Sequence, residues 1–450
     1  MGIKYVSSIF SRVSLLISGK SASTATIQTF VVKVFIIALN LGTGVTTARV
    51  LGSDGRGELA AILLWPQFLA FGLTFGVPSA LIFNFKRYPE EKDELFSLSL
   101  VFAAASGTLA TAIGIVFMPT WLSQYPPETI RAAQWFMLFA PLSLFGVSFT
   151  AAFEAREEFT LANQLRYLTP ATTLLSILLL LVFGVNSPVA FGLAYALPNI
   201  PINLWMFIRL QKHYKLGINK FRSTSQKLLG YGVKAYGVDL LGILSGKAGE
   251  ALVVSFLTPT AVGLYIVAMS VSRMLNVFED AISTVLIPRA SARSVNEIVE
   301  MTGRAVRIST FLTVLCVIPL MFLGPFLIPL VYGGEFIGAI PVFRILLIEV
   351  LLSGSTWMLG KAFMASGKPG IVTVLQGSVL VVSIPSMLFL IPRYGLIGAG
   401  SSLLLATAMR FLLTLICYPV VLKLSPPSLV LKKSDIRYMK LSLMNQRNKL

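Results

Sequence analysis

Residues 304–331 read RAVRISTFLTVLCVIPLMFLGPFLIPLV, and from Ile308 to Val331 the stretch carries no charge. A helix needs about 20 apolar residues to cross a bilayer core of about 30 Å. Arg289, Arg293, Arg304 and Arg307 stand on its amino-terminal side, whereas the gap after it, before residue 339, holds no Lys or Arg. One flank is basic and the other is bare. Cytoplasmic loops of membrane proteins collect Lys and Arg, so this asymmetry orients the segment.

The same reading extends outward in both directions. Comparable apolar runs lie at 25–50, 57–84, 95–118, 129–152, 163–184 and 188–209, then at 233–257, 260–288, 339–364, 369–391 and 395–423. Alternate gaps hold the basic residues. The central connector from Arg209 to Lys234 has seven and the tail from Lys423 to Lys449 another seven, while the intervening gaps hold only Arg49, Arg56, Arg131 and Arg393. This predicts an all-α membrane protein of about twelve transmembrane helices in two six-helix lobes, with both termini cytoplasmic.

Composition agrees. The chain has 450 residues, 55% hydrophobic and 12% charged, with mean hydropathy +0.80, where soluble domains carry about 25% charged residues. The net charge of +18 is spread thinly over short loops, which excludes the dense basic face that nucleic acid requires. Cys316 and Cys417 lie far apart inside apolar runs and read as small core residues. Residues 1–20 lack a continuous apolar core for a signal peptide. Tyr5, Val6, Ile9, Phe10, Val13, Leu16 and Ile17 share one helical face, which suits either a helix on the membrane surface or a frayed terminus.

The longest connector divides the chain into a surface segment (1–24), an N-lobe (25–210), a basic connector (211–232), a C-lobe (233–423) and a basic tail (424–450). The lobes show weak internal similarity. Leu51 and Gly57 match Leu257 and Gly263 at an offset of 206, Gly192 matches Gly398 at the same offset, and Ala152-Phe153-x-Ala155 matches Ala362-Phe363-x-Ala365 at 210. Duplicated lobes with a substrate site between them are a transporter architecture.

Several segments resemble one family. Thr47-Ala48-Arg49-Val50-Leu51-Gly52-x4-Gly57, leading to Phe75-Gly76-Val77-Pro78-Ser79-Ala80, is similar to the first helix pair of polysaccharide-export, O-antigen-type oligosaccharide flippases. Val262-Gly263-Leu264-Tyr265-x2-Ala268, Val285-Leu286-Ile287-Pro288-Arg289 and Leu390-Ile391-Pro392-Arg393-Tyr394-Gly395-x2-Gly398-Ala399 extend the likeness over residues 25–425. These flippases belong to the superfamily of multidrug, oligosaccharidyl-lipid and polysaccharide exporters. The resemblance implies two six-helix bundles around a central cavity in a bacterial inner membrane. It implies as cargo an oligosaccharide on undecaprenyl pyrophosphate, turned from the cytoplasmic to the outer leaflet for surface polysaccharide or exopolysaccharide assembly. Its expected partners are the lipid-linked oligosaccharide, membrane lipids and polysaccharide-assembly proteins, with no nucleic acid and no cofactor. A lipid II flippase of the same superfamily carries two further helices.

Charges inside the runs are the candidate site. A mid-membrane charge costs about 2.5–3.5 kcal/mol and therefore faces a bundle interior or a wet cavity. Lys33, Ile37, Asn40, Gly44 and Thr47 share one face of the first run. In the seventh, Asp239, Ile243, Gly246 and Glu250 share another, with Lys247 nearby; in the eighth, Arg273, Asn276 and Asp280 align. Cations suit phosphates and amides suit sugar hydroxyls. The expected substrate contacts are therefore Lys33, Asn40, Arg49, Lys247, Arg273 and Asn276. The alternative makes Lys247–Glu250 and Arg273–Asp280 structural pairs and lets Arg49 snorkel. Asp239, Glu250 and Asp280 are candidates for ion coupling, because desolvation favours a protonated carboxyl. Glu349, Arg344 and Arg410 read as packing or interlobe residues.

Pro66, Pro78, Pro141, Pro198, Pro288, Pro319, Pro325 and Pro385 fall within runs and mark kinks. His213 sits among connector lysines, and neither a metal-ligand cluster nor a phosphate-cradling GxxxxGK occurs. A transporter is expected, not an enzyme. A multidrug or cation antiporter of the same superfamily would favour an acidic cavity, and a membrane glycan polymerase would need a large outer loop where these gaps are short.

Overall fold

The computed structural model describes residues 22–280, 282–283, 293–432 and 435, with side chains described from Val34 onward apart from 159–160, 162–167 and 238. The expected surface segment before Lys20, Pro288 and the tail beyond 435 lie outside the described residues. The chain is an all-helical, multi-pass membrane protein. Eight segments among the described residues are long and apolar enough to cross a bilayer.

The helices are α1 (Ala22–Gly72), α2 (Val77–Arg87), α3 (Lys92–Trp121), α4 (Pro127–Phe136), α5 (Ala140–Ala155), α6 (Phe159–Val182), α7 (Pro188–Ala196) and α8 (Asn199–Gln211) in the N-terminal half. The C-terminal half contains α9 (Phe221–Phe256), α10 (Pro259–Arg273), α11 (Val295–Tyr332), α12 (Ile340–Ala365) and α13 (Pro369–Cys417). Two of these are pairs of helices joined at a glycine. Gly52 (φ 68°, ψ −173°) breaks α1 and Gly395 (φ 53°, ψ −128°) breaks α13, a conformation that costs a residue with a Cβ far more. After Gly395 the chain folds back so closely that a Cβ on Gly398 would lie 2.2 Å from the Leu390 carbonyl oxygen.

One expected proline kink is a complete break, and two more fall at joints where the backbone stays right-handed helical. The chain leaves the helix between Gly72 and Val77, with Phe75 (φ 47°) and Gly76 (φ 68°) in left-handed conformations, and Pro78 opens α2. Pro141 follows a 3-10 turn at Met137–Phe139, and Pro198 occupies the joint between α7 and α8. Carbonyls at these joints find further donors: Thr111 Oγ1 donates to Met137 O at 2.8 Å and the Tyr236 hydroxyl to Gly72 O. Pro66, Pro319, Pro325 and Pro385 remain inside helices.

The halves meet at the charge-poor end of the bundle, through α1 against α10 and α11. Gly57 and Gly263 make the approach possible. A Cβ on Gly57 would lie 1.8 Å from Pro259 O, and one on Gly263 would lie 2.0 Å from Ser53 O. Small residues let membrane helices approach to backbone contact. Ser53 and Pro259 are 206 apart, as are Gly57 and Gly263; Asp54 accepts a hydrogen bond from Thr260, again 206 residues on. The seam is thus self-complementary within one chain, like the isologous interface of a two-fold dimer. One apolar core runs through it, joining Ala48 and Ile62 to Val262 and Phe343.

Away from the seam, α9 belongs to both halves. The expected connector, 211–232, is partly helical, since α9 begins at Phe221. Near its start Lys227 Nζ pairs with Glu91 at 2.6 Å, and Gly76 packs against Gly232 O, 2.1 Å from where a Cβ would stand. Further along, Ser245 donates to Gln376 O at 3.4 Å and Gly249 meets Met387. At the basic end of α11, Arg307 grips Asp435 with Nε–Oδ2 2.6 Å and Nη2–Oδ1 3.0 Å. That guanidinium holds the buried Asp435 carboxyl below the usual carboxylate range.

Candidate functional site

The membrane charges divide into three groups. Arg49, placed by the last turn before Gly52, donates through Nε to Val331 O at 2.7 Å and through Nη2 to Leu330 O. These are carbonyls at the end of α11, where the helix dipole is negative and a cation is favoured. Glu335, just past that end, accepts from the Ser53 backbone N–H at 3.0 Å. Arg49 is therefore a latch of the seam.

The second group lies on α9. Lys247 and Glu250 pair at 2.6 Å, one helical turn apart and both partly exposed, and such exposed pairs contribute little stability. Asp239 accepts from Ser79 Oγ at 3.0 Å, tying α9 to α2. Asn40 on α1 is exposed, and the side chain of Lys33 lies outside the described residues.

Arg273 anchors the third group. Its Nη2 lies 3.0 Å from Glu349 Oε2, where the sequence offered Asp280 as the partner. Nη1 donates to Ser353 at 3.2 Å, and Thr407 donates to Glu349 Oε1 at 2.8 Å. Arg410 Nη2 reaches Ser353 O at 3.5 Å. Glu279, also buried, presses on Gly354, where a Cβ would stand 1.2 Å from its Oε1. The Glu349 side chain is 2% exposed and that of Arg273 is 34% exposed, so the carboxylate lies behind the guanidinium and fixes it. The Asn276 Oδ1, in the 3-10 turn at Met274–Asn276, is buried without a donor. Asp280 is half-buried on the same helix, with its carbonyl accepting from Ser283 at 3.2 Å. Sequence reasoning set Glu349 and Arg410 aside and passed over Glu279. Their signal was present: opposite charges within apolar runs of one half.

A cavity of about 610 Å³ lies inside the N-terminal half. The broken span and both kinked ones reach it, through Phe71 and Ser79, Phe139 and Ser143, and Tyr195 and Asn199. Broken membrane helices lining a polar space are a feature of transporter binding sites. Glu154 stands at one end and forms no ion pair among the described residues. No group of three or more His, Cys, Asp or Glu suited to a metal occurs among the described residues.

A family model described as polysaccharide biosynthesis protein matches residues 47–341. The chain is 27% identical over 165 residues to the probable low-salt glycan biosynthesis flippase Agl15 of Haloferax volcanii; the match covers 36% of this chain and 34% of that protein's length. Among solved structures, the lipid II flippase MurJ in an inward closed conformation superposes with a TM-score of 0.74 at 16% identity, covering 89% of this chain and 88% of that one. An inward-facing multidrug resistance MATE transporter of the MOP superfamily superposes at 0.68, with 16% identity and 92% and 99% coverage. An outward-facing one reaches 0.58, with 15% identity and 91% and 97% coverage. These structures share the fold.

Proposed function

The chain belongs to the polysaccharide biosynthesis protein family, and on that premise we propose that it is a transporter, not an enzyme: a flippase for an undecaprenyl-pyrophosphate-linked oligosaccharide. It carries its cargo from the cytoplasmic to the outer leaflet of a bacterial inner membrane by alternating access between an N-lobe (25–210) and a C-lobe (233–423). The seam is the observation that carries this reading. The halves are closed at the charge-poor end by Arg49, Asp54, Gly57 and their partners, and the positive-inside rule assigns that end to the outer face. The resting arrangement is then closed outward, as expected of a protein that loads from the cytoplasm.

In the proposed cycle Lys33, Lys247 and Arg273 attract the pyrophosphate. Arg273 offers a guanidinium already oriented by Glu349 and Ser353, and pre-orientation lowers the entropic cost of binding. Lys247 must leave Glu250 to bind, which an exposed pair permits at small cost. Asn40 and Asn276 are the neutral contacts beside them, and Asp239, Glu250 and Asp280 the carboxylates available for coupling. Polysaccharide-assembly proteins are the proposed partners, with anionic lipid attracting the basic tail.

The test is charge reversal at Lys33, Lys247 and Arg273, one at a time, in cells whose surface glycan depends on this protein. Glycan export is expected to fall while undecaprenyl-linked precursor accumulates inside. Unchanged export after every reversal removes the headgroup role. Lost export without precursor accumulation indicates a polymerase.

A further inference from the structure

The cavity in the N-terminal half has a chemical bias set by its helices. Ser143 and Thr150 on α5 donate their hydroxyl protons to Phe139 O and Gly146 O, at 3.1 and 2.8 Å. Asn199 and Asn203 on α8 donate through Nδ2 to Tyr195 O and Asn199 O, at 2.9 and 2.8 Å. The Ser143 and Thr150 hydroxyls have no proton left and each amide keeps one N–H beside its carbonyl oxygen, so acceptors predominate among the free groups, with the Glu154 carboxylate at one end. Asn203 is only 8% exposed, and its Oδ1 is buried without a partner. A buried acceptor left unpaired is rare in a native fold. Here it is turned against Gly146 in the cavity wall, where a Cβ on that glycine would lie 2.9 Å from it.

This inventory discriminates among ligands. An ionised phosphate presents only acceptors and meets mostly acceptors here, the Glu154 carboxylate among them. A bare metal cation needs about six oxygens within about 2.6 Å of one point. Ser143 and Thr150 alone stand about 10 Å apart along their helix, around a space of about 610 Å³. A sugar ring carries a hydroxyl donor at several corners and an apolar face. Phe136, Phe139 and Tyr195 supply apolar walls, and pockets of this size with a few placed polar groups are typical of small organic ligands.

We propose that this cavity is a saccharide site, separate from the charges that meet the pyrophosphate. It seats a sugar of the lipid-linked glycan against the oxygens of Ser143, Thr150 and Asn199, with the exposed Gln67 amide as a further donor. The inference rests on the flippase reading. The duplication sharpens it, since Gln67 and Arg273 are 206 residues apart, the offset that pairs the seam. In one half this position opens on the cavity. In the other it is bound to Glu349 in the ionic cluster. One half would hold sugar and the other phosphate.

The experiment compares full-length wild type, Asn199→Leu and Gln67→Leu in nanodiscs by native mass spectrometry. The probes are the lipid-linked glycan extracted from the same cells, sugar-free undecaprenyl pyrophosphate, sodium ion and tetraphenylphosphonium. Each variant is expected to weaken the glycan-bearing lipid by about tenfold, the equivalent of one hydrogen bond of about 1.4 kcal/mol, while sugar-free lipid binds as before. Gln67 is exposed on the cavity wall, so its variant keeps the test valid if Asn199→Leu fails to fold. Equal loss for both lipids, no loss for either, or a selective loss of sodium overturns the saccharide site. Wild type that ignores both lipids and takes up tetraphenylphosphonium overturns the flippase reading itself.

Discussion

Replacing Gly57 by Ala tests whether the glycine seam sets the conformational resting point. The added Cβ would stand 1.8 Å from Pro259 O, 2.6 Å from its carbonyl carbon and 2.9 Å from its Cα. All three are backbone atoms, so no side chain can rotate away. Restoring an ordinary contact of about 3.4 Å moves the helices apart by about 1.6 Å. Overpacking of this kind costs about 1–3 kcal/mol. The cost falls only on the state in which the seam is closed, whereas the gain in helix propensity from Ala, about 1 kcal/mol, accrues to both states and cancels. About 2 kcal/mol of differential destabilisation shifts the closed–open equilibrium by about 30-fold. Cysteines at Asp54 and Thr260, in a background with Cys316→Ala and Cys417→Ala, report the closed seam by oxidative cross-linking in membranes. Gly57→Ala is expected to slow cross-linking by at least tenfold, and Gly263→Ala to do likewise through its 2.0 Å approach to Ser53 O. Gly44→Ala, with nothing within 4 Å, is the control. Cross-linking unchanged by both seam variants would refute the steric reasoning.

Two further outcomes follow from the ion pairs. Asp435→Asn removes charge from the Arg307 clasp and should lower unfolding stability in detergent by about 2 kcal/mol, the worth of a hydrogen bond to a charged group. Because Arg307 depresses the Asp435 pKa, that contribution is fully present above about pH 4 and fades as pH falls through the lowered value; an equal deficit in the Asp435→Asn variant at pH 3 and pH 7 would contradict it. Glu349→Gln leaves Arg273 without its buried counter-charge and should reduce glycan export in cells, with partial rescue by Glu349→Asp; full export in the Gln variant would show that Arg273 needs no orienting partner.

Much of the architecture was legible in the sequence because hydrophobic length and basic flanks report directly on solvent. The weak repeat at an offset of 206 proved informative, since its glycines are the residues that touch across the seam. Side-chain partnerships were less legible. Helical spacing relates Arg273 to Asn276 and Asp280 along one helix, but it carries no information on which face of a distant helix packs opposite, and Glu349 came from elsewhere in the chain. The cavity was hidden for another reason. Ser143, Thr150, Asn199 and Asn203 are ordinary residues for membrane helices, and only the break at Gly76 and the kinks at Pro141 and Pro198 show that they surround a space.

The dual allegiance of α9 has a mechanical consequence. One stretch of this helix is anchored to α2 and to Glu91 just before α3, and the next is anchored to α13. Rigid rocking of the two halves would shear it, so the motion must be absorbed along its length. Gly242 lies between Asp239 of the first anchor and Ser245 of the second, and it has nothing within 4 Å of its would-be Cβ. The helix is least braced where it must flex, and its bending stiffness enters the energy barrier between the two faces of the cycle.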